Sequence, residues 1–139
     1  MSVQKRLKGK NIAHEHLPIA QSYVDQLIKQ HAIAGIVLLG GTARGFADKH
    51  SDIDLAIFVD DEKTRVLRGE VVWHDFDIDH MVLHLESWAA AQCTQLQRQT
   101  FSEGRVLYDP KGRISRLLKG KHLREPAGRL VISAQSKNV

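Results

Sequence analysis

A chain of 139 residues, 42% apolar and 26% charged, has the size and balance of one ordinary domain, long enough to bury about two-thirds of its unfolded surface. No apolar run nears the roughly 20 residues of a membrane span, and the basic residues 1–10 have no apolar stretch behind them, so neither a membrane protein nor a secretory leader is expected and the cytoplasm is the default compartment. The net charge of +4 favours anionic partners without bearing on the fold, while the single cysteine, Cys93, excludes an internal disulfide and reads as a small buried apolar residue.

Residues 16–31 place Leu17, Ile19, Ala20, Tyr23, Val24, Leu27 and Ile28 at helical spacing, which predicts an amphipathic helix. Residues 32–39 form an apolar, β-branched run ending in Gly40-Gly41, as a buried strand entering a glycine turn would. A short helix is expected to start within residues 42–46. Residues 51–59 alternate polar and apolar positions before becoming apolar throughout, which predicts a second strand, and the crossover to it is short enough that the two strands need not be parallel.

Residues 60–68 read as a charged turn or short helical stretch. Residues 70–84, rich in Val, Ile, Trp and Phe with a break near His74-Asp75, read as two strands or one bent strand. Residues 85–100 predict a helix that Gly104 stops, 105–108 a short strand closed by the Asp109-Pro110 turn, and 114–123 a basic amphipathic helix. One domain is expected over residues 1–125, its core at 16–124. Residues 126–139 have no periodic apolar face and are expected to form a tail that is disordered or packs on a partner, dispensable for the fold. The pattern is α+β, a small mixed sheet with helices packed on it.

Charge is unevenly spread. Basic residues crowd at 4–10 and 111–129, and the middle carries Asp48, Asp52, Asp54, Asp60, Asp61, Glu62, Asp75, Asp77 and Asp79. An acidic centre in a basic molecule suits a site where metal cations and polyphosphate meet. The stretch 38–58, LLGGTARGFADKHSDIDLAIF, carries the chemistry. A strand delivers Gly40-Gly41-Thr42, whose bare glycines let backbone N–H groups approach an anion. About ten residues later Asp52-Ile53-Asp54 presents two carboxylates on one strand face, with Ile53 on the other. Two adjacent carboxylates repel unless a cation bridges them, so a hard divalent metal is the simplest explanation.

Leu39-Gly40-Gly41-Thr42, Arg44-Gly45 and Ser51-Asp52-Ile53-Asp54-Leu55 together resemble the polymerase beta-like nucleotidyltransferases, whose pattern is an apolar residue, Gly-Gly/Ser, some ten residues, and Asp-x-Asp/Glu. The minimal members of that superfamily, antitoxin-type and aminoglycoside-modifying proteins, read G-S-x-A-R-G followed by S-D-I-D-L, and Thr42 is taken to stand for the usual serine. The resemblance covers residues 33–108 and implies the nucleotidyltransferase fold. It also implies a third carboxylate on a later strand. Asp75, Asp77 and Asp79 alternate there; Asp79, followed by His80-Met81-Val82-Leu83 and then Leu85-Glu86-Ser87-Trp88, fits the family's register best, with Asp77 in reserve.

By the same resemblance Asp52, Asp54 and Asp79 would be catalytic and hold magnesium or manganese, and Gly40, Gly41, Thr42, Arg44 and Ser51 would contact the phosphates of a nucleoside triphosphate. The expected reaction moves AMP from ATP to a hydroxyl on a helical partner protein, or on a small molecule such as an aminoglycoside. Aminoglycoside-modifying members usually carry a further helical domain, which places that acceptor second. A rival reading is an antitoxin-like subunit that neutralises its partner by binding alone. A third, nucleic-acid binding through Arg113, Arg116, Lys119, Lys121 and Arg124, lacks an aromatic platform or recognised motif. His14-Glu15-His16 reads as surface rather than a metal site, no zinc spacing occurs among the histidines, and Trp73 and Trp88 read as core or interface anchors.

Overall fold

The computed structural model describes residues 9–60, 69–90 and 94–123; Cys93, the charged stretch 61–68 and the proposed boundary at 125–126 lie outside them. Helix α1 (Ala13–Gln30) leads into β1 (Gly35–Leu39), α2 (Gly40–Arg44) and β2 (Ile53–Val59). Then follow β3 (Gly69–Trp73), β4 (Phe76–His84), α3 (Leu85–Ala90), α4 (Gln95–Ser102), β5 (Arg105–Tyr108) and α5 (Arg113–Leu123). The strands form one mixed sheet in the order β3-β4-β2-β1-β5. β1 is antiparallel to β2 and β5, β3 is antiparallel to β4, and only β2 with β4 is parallel. This is the α+β class expected from the sequence, a small mixed sheet with helices packed on it.

The alternation along β2 sorts the two faces. Ile53, Leu55, Ile57 and Val59 point to α1, where Ala20, Tyr23, Val24 and Leu27 complete one buried layer with Ile36, Leu38 and Ile78. Ala56 and Phe58 point the other way, into a second layer with Val37, Leu39, Leu85, Phe101 and Ile114 from β1, α3, α4 and α5. Asp54 shares the parity of Ala56 and Phe58 and therefore belongs to the face that α4 and α5 cover. Both tryptophans are core anchors: Trp73 stacks edge-on with Tyr23 and donates to the Ser22 hydroxyl at 3.1 Å, and Trp88 packs on Phe58 and Phe101.

Three expectations are corrected. Gly40 and Gly41 are not a turn before a helix but the first residues of α2, since β1 passes directly into it. The first helix begins at Ala13 rather than residue 16, where the Asn11 side-chain Oδ1 accepts from the Ala13 N–H at 3.1 Å. The single helix expected over 85–100 is two helices, because Thr94 is extended and opens α4 with a reciprocal capping box to Gln97. The break at His74-Asp75 is a tight hairpin in which both residues take positive φ, 50° and 69°, as the central pair of a type I′ turn does.

Candidate active site

Sheet register assembles the site. Leu39 of β1 pairs with Asp54 of β2, and Asp54 pairs with Asp79 of β4, so the two carboxylates stand side by side on one face about 5 Å apart at their backbones. Gly40 follows Leu39 at the same end of β1. It has φ +73°, and a Cβ there would lie 2.6 Å from the Asp54 Oδ2, so only glycine lets the chain turn into α2 and leaves the carboxylate room. Gly40→Ala should therefore cost about 1–3 kcal/mol of stability through its positive φ and also displace Asp54. Urea unfolding and a transfer assay check both losses; a stable, fully active variant would refute the close approach.

Gly40, Arg44, Asp54 and Asp79 share a cavity of about 400 Å³, which Leu96 of α4 and Glu103 at that helix's C-cap also line. Arg44 lies in the last turn of α2 with its guanidinium Nη1 3.5 Å from the Glu103 Oε1, both side chains about 30% exposed. Arg105 ties the same helix end from β5, its Nε donating to the Ala43 carbonyl at 2.9 Å. Glu103 and Arg105 escaped the sequence reading because no local pattern connects them with α2, some sixty positions earlier; only the packing of β5 beside β1 does.

The other proposed site residues lie elsewhere. Asp52 is exposed, just before β2 and outside the cavity lining. Asp77, exposed like Asp79, is one same-face position before it, opposite Val72 of β3 and outside the cavity lining. The Ser51 hydroxyl organises its own turn, accepting from the Asp48 N–H at 3.0 Å and donating to the Asp48 Oδ1 at 3.2 Å. Among the described residues no three His, Cys, Asp or Glu side chains converge as a metal-holding group. The pair Asp54 and Asp79 is thus brought together, and Asp52 lies two residues before Asp54, outside the cavity lining.

Thr42 requires a correction. Its side chain is 1% exposed and its hydroxyl is 3.2 Å from the His16 Nδ1, so it faces the interior rather than a phosphate. Setting the family phrase on Gly40 to Gly45 in fact puts Gly41, not Thr42, at the serine. A side chain at Gly41 would run into the Phe46 carbonyl oxygen, so a serine has no room at that position here.

His16 likewise departs from the surface reading of its triplet. It is fully buried beneath α2, its ring edge-on to Phe76 at 4.7 Å, and its Nε2 has no hydrogen-bond partner. Burial lowers its pKa below 6.5, although Glu15 and Asp48 act in the opposite direction. A depressed histidine pKa means the unfolded chain binds the proton first, so stability is complete above about 6.5 and is lost as pH falls through that value toward the folded pKa. His16→Gln should accordingly lose less melting temperature between pH 7 and pH 5 than the parent protein; equal losses would contradict the assignment.

The family model described as "Nucleotidyltransferase domain" matches residues 10–108, ending with the last residue of β5. No curated protein matches the chain. No helix among the described residues is long and apolar enough to cross a membrane.

Proposed function

The chain belongs to the nucleotidyltransferase domain family, so its chemistry is nucleotidyl transfer, and we propose that it moves AMP from ATP to a hydroxyl acceptor using Asp54 and Asp79 as the central carboxylates. The observation that carries this reading is the single register pair Asp54–Asp79, with Gly40 pressed against Asp54 and all three in one cavity. The donor set fits a hard divalent cation, magnesium or manganese: carboxylate oxygens on neighbouring strands, with one of them approached by a backbone that carries no side chain. When bound, such an ion neutralises phosphate charge and favours ionisation of the acceptor hydroxyl. Asp52, two residues before Asp54 and outside the cavity lining, would join this pair only by turning toward it.

The remaining roles belong to the chain itself. Backbone N–H groups of Gly40 and Gly41 hold phosphate oxygens. Arg44, whose guanidinium has five donors and gives one edge to Glu103, meets the leaving pyrophosphate with the others. Asp79 accepts the acceptor's proton as its oxygen attacks the α-phosphorus in line. The acceptor we favour is a hydroxyl of a helical partner protein, with a small molecule second.

Incubating the protein with α-labelled ATP, magnesium and a host lysate tests the reading. Label appearing on a discrete species, and absent with an Asp54→Asn variant, supports it. Absence of transfer from each of the four nucleoside triphosphates would sink it, and a partner captured equally by both proteins without label would favour an antitoxin-like binding subunit.

A further inference from the structure

Leu96, Gln99 and Thr100 of α4 and its C-cap Glu103 recur at i, i+3, i+4 and i+7 and line the cavity from one side. The stripe is about 10 Å long, seven residues at the helical rise. Its character changes along that length. At the Glu103 end it meets Arg44, and at the other it ends in Leu96, 73% exposed; Met81, 46% exposed, lines the same cavity. Met81 sits two residues beyond Asp79 on the same face of β4, about 7 Å farther along the strand.

The register sets which part of a nucleotide can lie where. Leu39, Asp54, Asp79 and Glu70 form a row across β1, β2, β4 and β3, perpendicular to the strands. In-line displacement puts the attacking oxygen on the far side of the α-phosphorus from the leaving pyrophosphate. With the pyrophosphate at the Gly40 and Arg44 end, the acceptor enters from the Glu70 end, and the nucleoside must leave sideways, along the strands. In one direction stand the exposed carboxylates Asp52 and Asp77, which offer a base no apolar surface. In the other stand Met81 and Leu96.

We infer that the Met81 and Leu96 end of the cavity is a nucleobase subsite, in which the Gln99 side-chain amide reads the edge of the base. The inference rests on the nucleotidyl-transfer reading above and adds its specificity determinant. Two exposed apolar side chains lining one cavity suit the faces of a flat, weakly hydrated ring, and the thioether of Met81 is polarisable. Gln99 lies one turn from Leu96 on the same stripe, and among the described residues its amide makes no hydrogen bond. That amide carries adjacent donor and acceptor groups, the combination a base edge complements.

The test compares binding of non-hydrolysable triphosphates of the four bases with binding of inorganic tripolyphosphate, by calorimetry on the full chain with magnesium. Leu96→Ser and Met81→Ser should each weaken nucleotide binding about fivefold, and Gln99→Leu should weaken the preferred nucleotide about tenfold and narrow its lead over the other bases. All three should leave tripolyphosphate affinity within about twofold, which a general disturbance of the fold would not. Nucleotide affinities unchanged by all three variants, or tripolyphosphate weakened as much as nucleotide, overturn the subsite. A parent protein that binds nucleotide no more tightly than tripolyphosphate overturns it as well. Binding of neither ligand by the parent protein would instead overturn the nucleotidyl-transfer reading on which it rests.

Discussion

Asp54→Asn is expected to lower nucleotidyl transfer by about a thousandfold or more, because a lost metal-binding carboxylate removes several kcal/mol of transition-state stabilisation. Stability should change by no more than about 1 kcal/mol, since Asp54 is only partly buried and the substitution keeps its shape. That combination separates a catalytic loss from a folding loss. Steady-state transfer with saturating magnesium and ATP, alongside urea unfolding, measures both. Unchanged turnover would remove Asp54 from the chemistry and with it the metal hypothesis.

The second large effect discriminates between two carboxylates on one strand. Asp79→Asn should reduce transfer at least about a hundredfold, the lower end of what a positioned proton acceptor contributes, and Asp77→Asn about tenfold or less through a weaker local field. The two side chains share a face of β4, but same-face neighbours are nearly 7 Å apart along a strand, and direct participation tolerates only a few tenths of an ångström. Asp79 is opposite Asp54 and lines the cavity, whereas Asp77 is opposite Val72 on the outer strand β3. A severe loss in Asp77→Asn with near-normal Asp79→Asn would mean that the working register is displaced by one residue pair.

Much of the fold was legible because the elements announce themselves locally. The β-branched runs at 35–39 and 53–59, the helical spacing through Leu27 and the Asp109-Pro110 turn each depend on neighbours a few residues away. The capping box at Thr94 was also written in the sequence as Thr-x-x-Gln, and it was missed because good helix formers on both sides suggested one continuous helix. Asn11 was a different kind of omission. Its amide donates to the Gly45 carbonyl at 2.9 Å and its oxygen accepts from the Ala47 N–H at 3.0 Å, so it holds the loop after α2 from more than thirty residues away.

What the sequence determined by itself was the family, the α+β class and the two chemical ends of the site: glycines where a strand meets a short helix, and aspartates alternating on later strands. Periodicity and residue type carry that information, because both express local backbone geometry. Tertiary structure alone decided which aspartate stands beside Asp54, since pairing β2 with β4 selects one register among several the alternation allows. It also turned the Thr42 hydroxyl inward to His16 and gave Arg44 its partner in Glu103. Each of these is a contact between segments far apart in the chain, made only when the sheet buries both its faces, and no local pattern encodes such a contact.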